Sequence, residues 1–183
     1  MNGHILLLVN AHRDEGLCST LRLQEHLRSH GHDTRITPFL SEDVRDTWDP
    51  SIETVTLEDG LKGARLVVSL GGDGTILQIS RYLAGTGIPI IGVNMGNKGF
   101  LAELERGELL RVLEVAEGRC SIQARMMLDV ELIRNNRTVF SSQALNEAVV
   151  RATVALIRIE AYGDGREITA FSGDGIIVSS PTG

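Results

Sequence analysis

Asp73 stands among three glycines in Leu70-Gly71-Gly72-Asp73-Gly74-Thr75, and that setting narrows the chemistry open to it. A short apolar run, Leu66 to Leu70, comes before and a helical pattern follows. Strand, glycine-rich turn and helix together present backbone N–H groups to a phosphate. Glycine serves such a turn because a side chain would hold the ligand away, and because tight turns often need positive φ. A carboxylate among N–H donors repels a phosphate unless a metal or a proton-transfer task accounts for it. Two readings follow. Either this is a phosphate-handling turn with an acid/base or metal-linked carboxylate, or it is a plain βα turn in which Asp73 caps the helix.

Other polar residues set beside glycines or apolar runs are Asn94, Asn146, Glu147 and Asp174. Asn146-Glu147 interrupts an apolar stretch between Leu145 and Ala148. A buried amide or carboxylate there needs partners, so the pair either binds a polar ligand such as a ribose diol or faces water at an edge or turn. Asp174 is similar, since glycines on both sides allow close approach of a ligand. Gly-Asp-Gly also recurs around Asp164, between two alternating runs, where a hairpin turn explains it and Asp164 should be inert. The chain has no Gly-x-x-x-x-Gly-Lys-Ser/Thr loop and no Gly-x-Gly-x-x-Gly after a strand, which excludes a P-loop enzyme and leaves an ordinary dinucleotide fold unsupported. No Ser/Cys–His pair stands out.

The elements that must position these residues alternate. Ile5 to Val9 reads as a buried parallel strand, about Asp14 to Ser29 as a helix closed by Gly31, and Asp33 to Thr37 as a strand stopped by Pro38. Residues 41–63 are polar and acidic, a loop with one helical turn in which Trp48 either docks or sits exposed. The strand Leu66–Leu70, the helix marked by Ile76, Ile79 and Leu83, and the strand Ile88–Val93 follow, then the glycine-rich turn Asn94–Phe100. Glu105 to Gly118 reads as a last amphipathic helix. This pattern predicts a parallel α/β sheet, with both glycine-rich turns at the carboxyl edge where such sheets bind ligands. Beyond Gly118 the pattern becomes alternating and antiparallel. Residues 1–118 are thus expected to form an α/β domain and 119–183 a β-rich one, an incomplete β-sandwich.

The 183 residues carry a net charge of −6, against a nucleic-acid or anionic-membrane surface. Phosphates would have to be held locally, by backbone dipoles, a metal or a few arginines. Cys18 and Cys120 form neither a disulfide framework nor a zinc pattern, and are expected to be buried in a reducing compartment. The histidines, all within the first 32 residues, read as surface positions without metal-ligand spacing. With no signal peptide and no apolar run near ~20 residues, the chain is expected in the cytoplasm. It stops at Pro181-Thr182-Gly183, just after the strand-like Ile176–Val178, and so reads as a piece of something longer.

Gly71-Gly72-Asp73-Gly74-Thr75, then Asn94 through Gly99-Phe100, then Asn146-Glu147, then Asp174-Gly175 leading to Ser180-Pro181-Thr182-Gly183, resembles bacterial NAD kinases in order and spacing along the whole chain. The first block alone is shared with lipid kinases; the later segments make the match specific. The resemblance implies an α/β amino-terminal and β-rich carboxyl-terminal domain with NAD between them. It implies transfer of a phosphoryl group from ATP or polyphosphate, with Mg²⁺ or another divalent metal, to the 2′-hydroxyl of the adenosine ribose of NAD. Asp73 would then be the general base, and Gly71, Gly72, Gly74 and Thr75 the phosphate site. Gly74, Leu77, Phe100, Asn146, Glu147 and Asp174 would contact NAD, Phe100 near the adenine and Asp174 at the nicotinamide amide. No protein residue is expected as a dedicated metal ligand. Dimers or tetramers are implied for the full-length form. The family motif runs on past Gly183, and Ser180 stands where threonine is usual. The alternatives are a lipid kinase of the same superfamily or a non-catalytic nucleotide-binding fragment.

Overall fold

In the computed structural model residues 3–39, 49–97 and 99–183 are described. Trp48 and Lys98 lie outside them. The chain divides into two compact units, Met1–Gln123 and Ala124–Gly183.

The first unit is built on β1 (His4–Val9), β2 (Thr34–Pro38), β3 (Ala64–Gly71), β4 (Ile90–Asn94) and β5 (Leu104–Glu105), all parallel, in the order β2-β1-β3-β4-β5. Their near-continuous apolar sequences suit a parallel sheet covered on both faces. Alternate residues of one strand therefore enter opposite layers. Ile5, Leu7 and Val9 pack with Leu23 and Leu27 of α1 (Cys18–Ser29) and with Val112 and Ala116 of α4 (Val112–Ala116). Leu6 and Leu8 pack with Ile79 and Leu83 of α3 (Asp73–Leu83) and with Leu57 and Leu61 of α2 (Leu57–Leu61). Each fully buried leucine contributes roughly 1.5–3 kcal/mol.

Register brings the site's loops together. Gly71 pairs with Asn94, and the Met95 N–H donates to the Gly71 carbonyl at 2.7 Å. On the other side the Asn10 N–H donates to the Leu70 carbonyl at 2.9 Å. The loops that leave β1, β3 and β4 therefore start level with one another at the carboxyl edge.

Several local expectations are corrected. The helix expected from Asp14 starts as a 3₁₀ turn at Glu15–Leu17 and becomes α-helical at Cys18. Asp14 is buried outside it, accepting the N–H groups of Ser19 at 3.0 Å and Thr20 at 2.8 Å, as a cap does. The helix expected over Glu105–Gly118 is a short strand, β5, then a 3₁₀ helix at Arg106–Arg111, then α4. Cys18 and Cys120 are exposed, not buried. His4 is a core residue, only 4% exposed, its Nε2 2.7 Å from the Gly60 carbonyl, because it opens β1, a strand paired on both sides.

The second unit consists of three antiparallel two-stranded sheets. β6 (Leu128–Arg134) pairs with β7 (Arg137–Ala144), β8 (Glu147–Arg151) with β11 (Gly175–Ser179), and β9 (Ile157–Gly163) with β10 (Arg166–Gly173). The β9–β10 turn holds Asp164 at φ 49° and Gly165 at φ 76°, the signature of a tight hairpin turn. Asp164 has that structural task. Among the described residues no helix is long and apolar enough to cross a membrane.

Candidate active site

Gly72 occupies the N-cap position of α3 in extended conformation and Asp73 is the first helical residue. No side chain caps this helix, so the capping reading of Asp73 is set aside. The carboxylate turns instead to the neighbouring loop. Its Oδ2 accepts the Phe100 N–H at 2.8 Å and its Oδ1 the Leu101 N–H at 3.1 Å. One charged group thus ties the β3–α3 turn to the β4–β5 loop. An ionised carboxylate offers about four lone-pair sites, so accepting capacity remains after these bonds.

The glycines work for reasons other than positive φ, which none of Gly71, Gly72 and Gly74 adopts. A Cβ on Gly71 would overlap the Thr75 side chain, so that glycine lets the helix start close to the strand. Gly72 and Gly74 have no neighbouring atoms where a Cβ would be and leave the turn open. The N–H groups of Thr75 and Ile76 return to the Gly72 carbonyl, and among the described residues those of Asp73 and Gly74 have no backbone acceptor at the helix start. Gly99 is the most constrained: a Cβ there would run into the Asp73 carboxylate itself.

These groups line one cleft, formed by Gly71–Gly74, Asn94, Gly96, Asn97, Gly99 and Arg13. Asn94 is 3% exposed, its Oδ1 accepting the Gly96 N–H at 3.1 Å and its Nδ2 donating to Glu105 at 3.3 Å, so it braces the loop. Thr75 is 2% exposed and packs behind the turn rather than lining the cleft. Leu77 is half-buried on α3, and Phe100 is 99% exposed. Arg13 was missed by sequence reasoning. It has no periodicity to betray it, and its only signal is a position four residues past an apolar strand that ends at the ligand edge.

A second cluster of the predicted residues sits in the other unit. Asn146 lies in the turn between β7 and β8, with Glu147 exposed as the first residue of β8. The Asn146 Oδ1 is buried and has no hydrogen-bond partner among the described residues. The end of the chain folds against this turn. The Ser180 N–H donates to the Asn146 carbonyl at 2.8 Å, its hydroxyl donates to the Leu145 carbonyl, and a Cβ on Gly183 would overlap the Asn146 backbone. Asp174 is exposed between β10 and β11, and its carbonyl accepts the Ala152 N–H at 2.7 Å. Gly175 is required by the β8 backbone, since a Cβ would overlap the Val150 carbonyl.

A family model described as the ATP-NAD kinase N-terminal domain matches residues 7–118, the stretch that carries the cleft. The chain belongs to the NAD kinase family. The NAD kinase of Acidobacterium capsulatum is 37% identical over 98% of this chain and 62% of its own length. That of Heliobacterium modesticaldum is 45% identical over 69% of this chain and 46% of its own. The chain thus spans less than two thirds of the length of these NAD kinases. Among solved structures, yeast NADH kinase complexed with NADH superposes on the whole chain with a TM-score of 0.81 at 21% identity, over 59% of its own length, and so shares the fold.

Proposed function

We propose that this chain carries the phosphoryl-transfer site of an NAD kinase, which phosphorylates the 2′-hydroxyl of the adenosine ribose of NAD. The observation that carries the reading is the Asp73 carboxylate, fixed by two backbone N–H groups at the mouth of an otherwise side-chain-free turn. Phosphoryl transfer runs through a loose transition state, so catalysis rests on positioning and charge stabilisation. The N–H groups of Asp73 and Gly74, at the start of the helix, hold oxygens of the donor. Asp73 accepts the proton of the 2′-hydroxyl as its oxygen bonds to the terminal phosphorus, and the bond from that phosphorus to the bridging oxygen breaks. ADP, or a polyphosphate shorter by one unit, leaves with the bridging oxygen.

Among the described residues no group of three or more His, Cys, Asp or Glu could hold a metal. Mg²⁺ is commonly bound through substrate phosphates, water and one or two carboxylates. That pattern is compatible with a site whose cleft offers one carboxylate, Asp73, and the ion would neutralise charge on the donor phosphates.

For NAD, the exposed ring of Phe100 offers the adenine a stacking face. The buried, unpartnered Asn146 Oδ1 needs a donor, which a ribose hydroxyl supplies, with Glu147 beside it. The resemblance assigns NAD contacts to Gly74 and Leu77 and the nicotinamide amide to Asp174. The family resemblance supports these further assignments, a cytoplasmic location, and dimers or tetramers of the full-length form.

The test is incubation with NAD, Mg²⁺ and either ATP or polyphosphate, with NADP detected by an NADP-dependent dehydrogenase. Asp73→Asn should lower turnover by about 10²–10⁴-fold, the range of general-base catalysis, with NAD affinity retained. A near wild-type rate in that variant removes the base role. Binding of NAD without product leaves a non-catalytic module, and phosphorylation of a lipid alcohol instead makes this a lipid kinase.

A further inference from the structure

Arg13 follows β1, its N–H donating to the Asn10 carbonyl at 2.9 Å in a tight turn, and its side chain lines the cleft. Its guanidinium packs on Gly96, in the loop after β4, where a Cβ would overlap Nη1. Yet β1 and β4 are not neighbours, because β3 lies between them. To reach Gly96 the side chain must cross the carboxyl end of β3, a span of about 10 Å at two strand spacings. That is where the Gly71–Gly74 turn begins. Among the described residues lining the cleft Arg13 is the one cation, and no ion pair joins it to Asp73 or to any other described carboxylate. A chain of net charge −6 with a carboxylate in the cleft repels a polyanion. A guanidinium laid over N–H donors offsets that repulsion and offers a planar fork matched to phosphate oxygens.

We propose that Arg13 binds the phosphoanhydride chain of the phosphoryl donor, and that Gly96 lacks a side chain to seat its guanidinium there. This deepens the kinase reading and rests on it for the identity of the donor. The shared ligand chemistry is a linear polyphosphate, free or attached to a nucleoside.

The experiment measures binding of inorganic tripolyphosphate, ATP and NAD to the full chain by titration calorimetry. It compares wild type with Arg13→Met, Arg13→Lys and Gly96→Ala. Arg13→Met should weaken tripolyphosphate by about tenfold or more, with NAD affinity and thermal midpoint unchanged. Arg13→Lys should recover part of the loss, since it restores charge without the fork. Gly96→Ala, which displaces the guanidinium, should weaken tripolyphosphate as Arg13→Met does. A matching loss for ATP marks the phosphate chain as the group recognised; a loss for ATP alone would move the contact to the nucleoside and overturn the proposal. Unchanged tripolyphosphate binding in Arg13→Met, or no tripolyphosphate binding by wild type, also overturns it. Arg13-dependent tripolyphosphate binding without NADP formation refutes the kinase reading alone. NADP formation with an unchanged donor KM in Arg13→Met refutes the Arg13 assignment alone.

Discussion

β1 and β11 are both written as apolar runs, Ile5-Leu6-Leu7-Leu8-Val9 and Ile176-Ile177-Val178, but they live in different surroundings. Every residue of Ile5–Val9 is fully buried, whereas Ile177 is 66% and Val178 53% exposed. Parallel strands need crossover connections, and those helices cover both faces of the sheet as a by-product. β11 pairs antiparallel with β8, and among the described residues the second unit contains no helix. An apolar run therefore announces a strand in both units, and in the first unit the covering helices bury it.

The largest expected effect separates the two units by stability. Leu7→Ala should cost about 2–5 kcal/mol, because β1 lies between two layers that cannot collapse into the gap. Val178→Ala on β11 should stay within about 0.5 kcal/mol, the range of surface changes. Urea unfolding of the two variants measures both. Equal losses would mean that β11 is covered in solution and would erase the contrast.

The next pair sets two glycines against each other. Gly165 sits at φ 76° with open space around it, so Gly165→Ala strains the hairpin by about 1–2 kcal/mol and leaves chemistry alone. Gly99 has no such φ, but its Cβ position is filled by the Asp73 carboxylate. Gly99→Ala should push the carboxylate aside and lower NADP formation by up to about 10²-fold, the scale of a 1 Å misplacement, with a smaller change in unfolding midpoint than Gly165→Ala. Turnover and unfolding measured on both variants should show opposite orders. The same order in both would mean that Gly99, like Gly165, acts only through the fold.

The contrast also explains what was legible in the sequence. β1, β3 and β4 could be read because fully buried parallel strands are continuous apolar runs, and the turn at Gly71–Gly74 because few other tasks gather glycines around an aspartate. β5 could not, since two residues carry no period. The 3₁₀ helix at Arg106–Arg111 could not be told from α-helix, because Leu109, Leu110 and Leu113 satisfy either repeat. Cys18 and His4 were misplaced by residue type: exposure follows which face of an element a residue occupies, not its average habit. At the site, Asp73 was legible but its grip on Phe100 and Leu101 was not, since contacts 27 and 28 residues away leave no local pattern. Arg13 and the reason for Gly96 were hidden for the same cause.

The smallest effect uses the histidines, all of which lie in the first unit. His32 accepts a hydrogen bond at Nδ1 from Arg65 Nη2 at 2.9 Å, while Arg65 Nη1 holds the Ala116 carbonyl at 3.0 Å. Burial, then the Arg65 charge, lower the His32 pKa below 6.5, against an opposing pull from Glu117 and with a further push from His30. Above pH 6.5 the imidazole is neutral whether the chain is folded or not, and its contribution is fully present. As pH falls through 6.5 toward the lower folded value, the unfolded chain takes the proton first, so stability is lost. His32→Gln keeps an acceptor for Arg65 and does not titrate. Between about pH 7.5 and 5.5 it should flatten the decline in urea midpoint of the first unit. Amide exchange in the β9–β10 hairpin, in a unit without histidine, should be insensitive to the substitution across that window. A decline that survives in His32→Gln would assign the titration to another group, and an equal change in the hairpin would mean that the two units unfold as one.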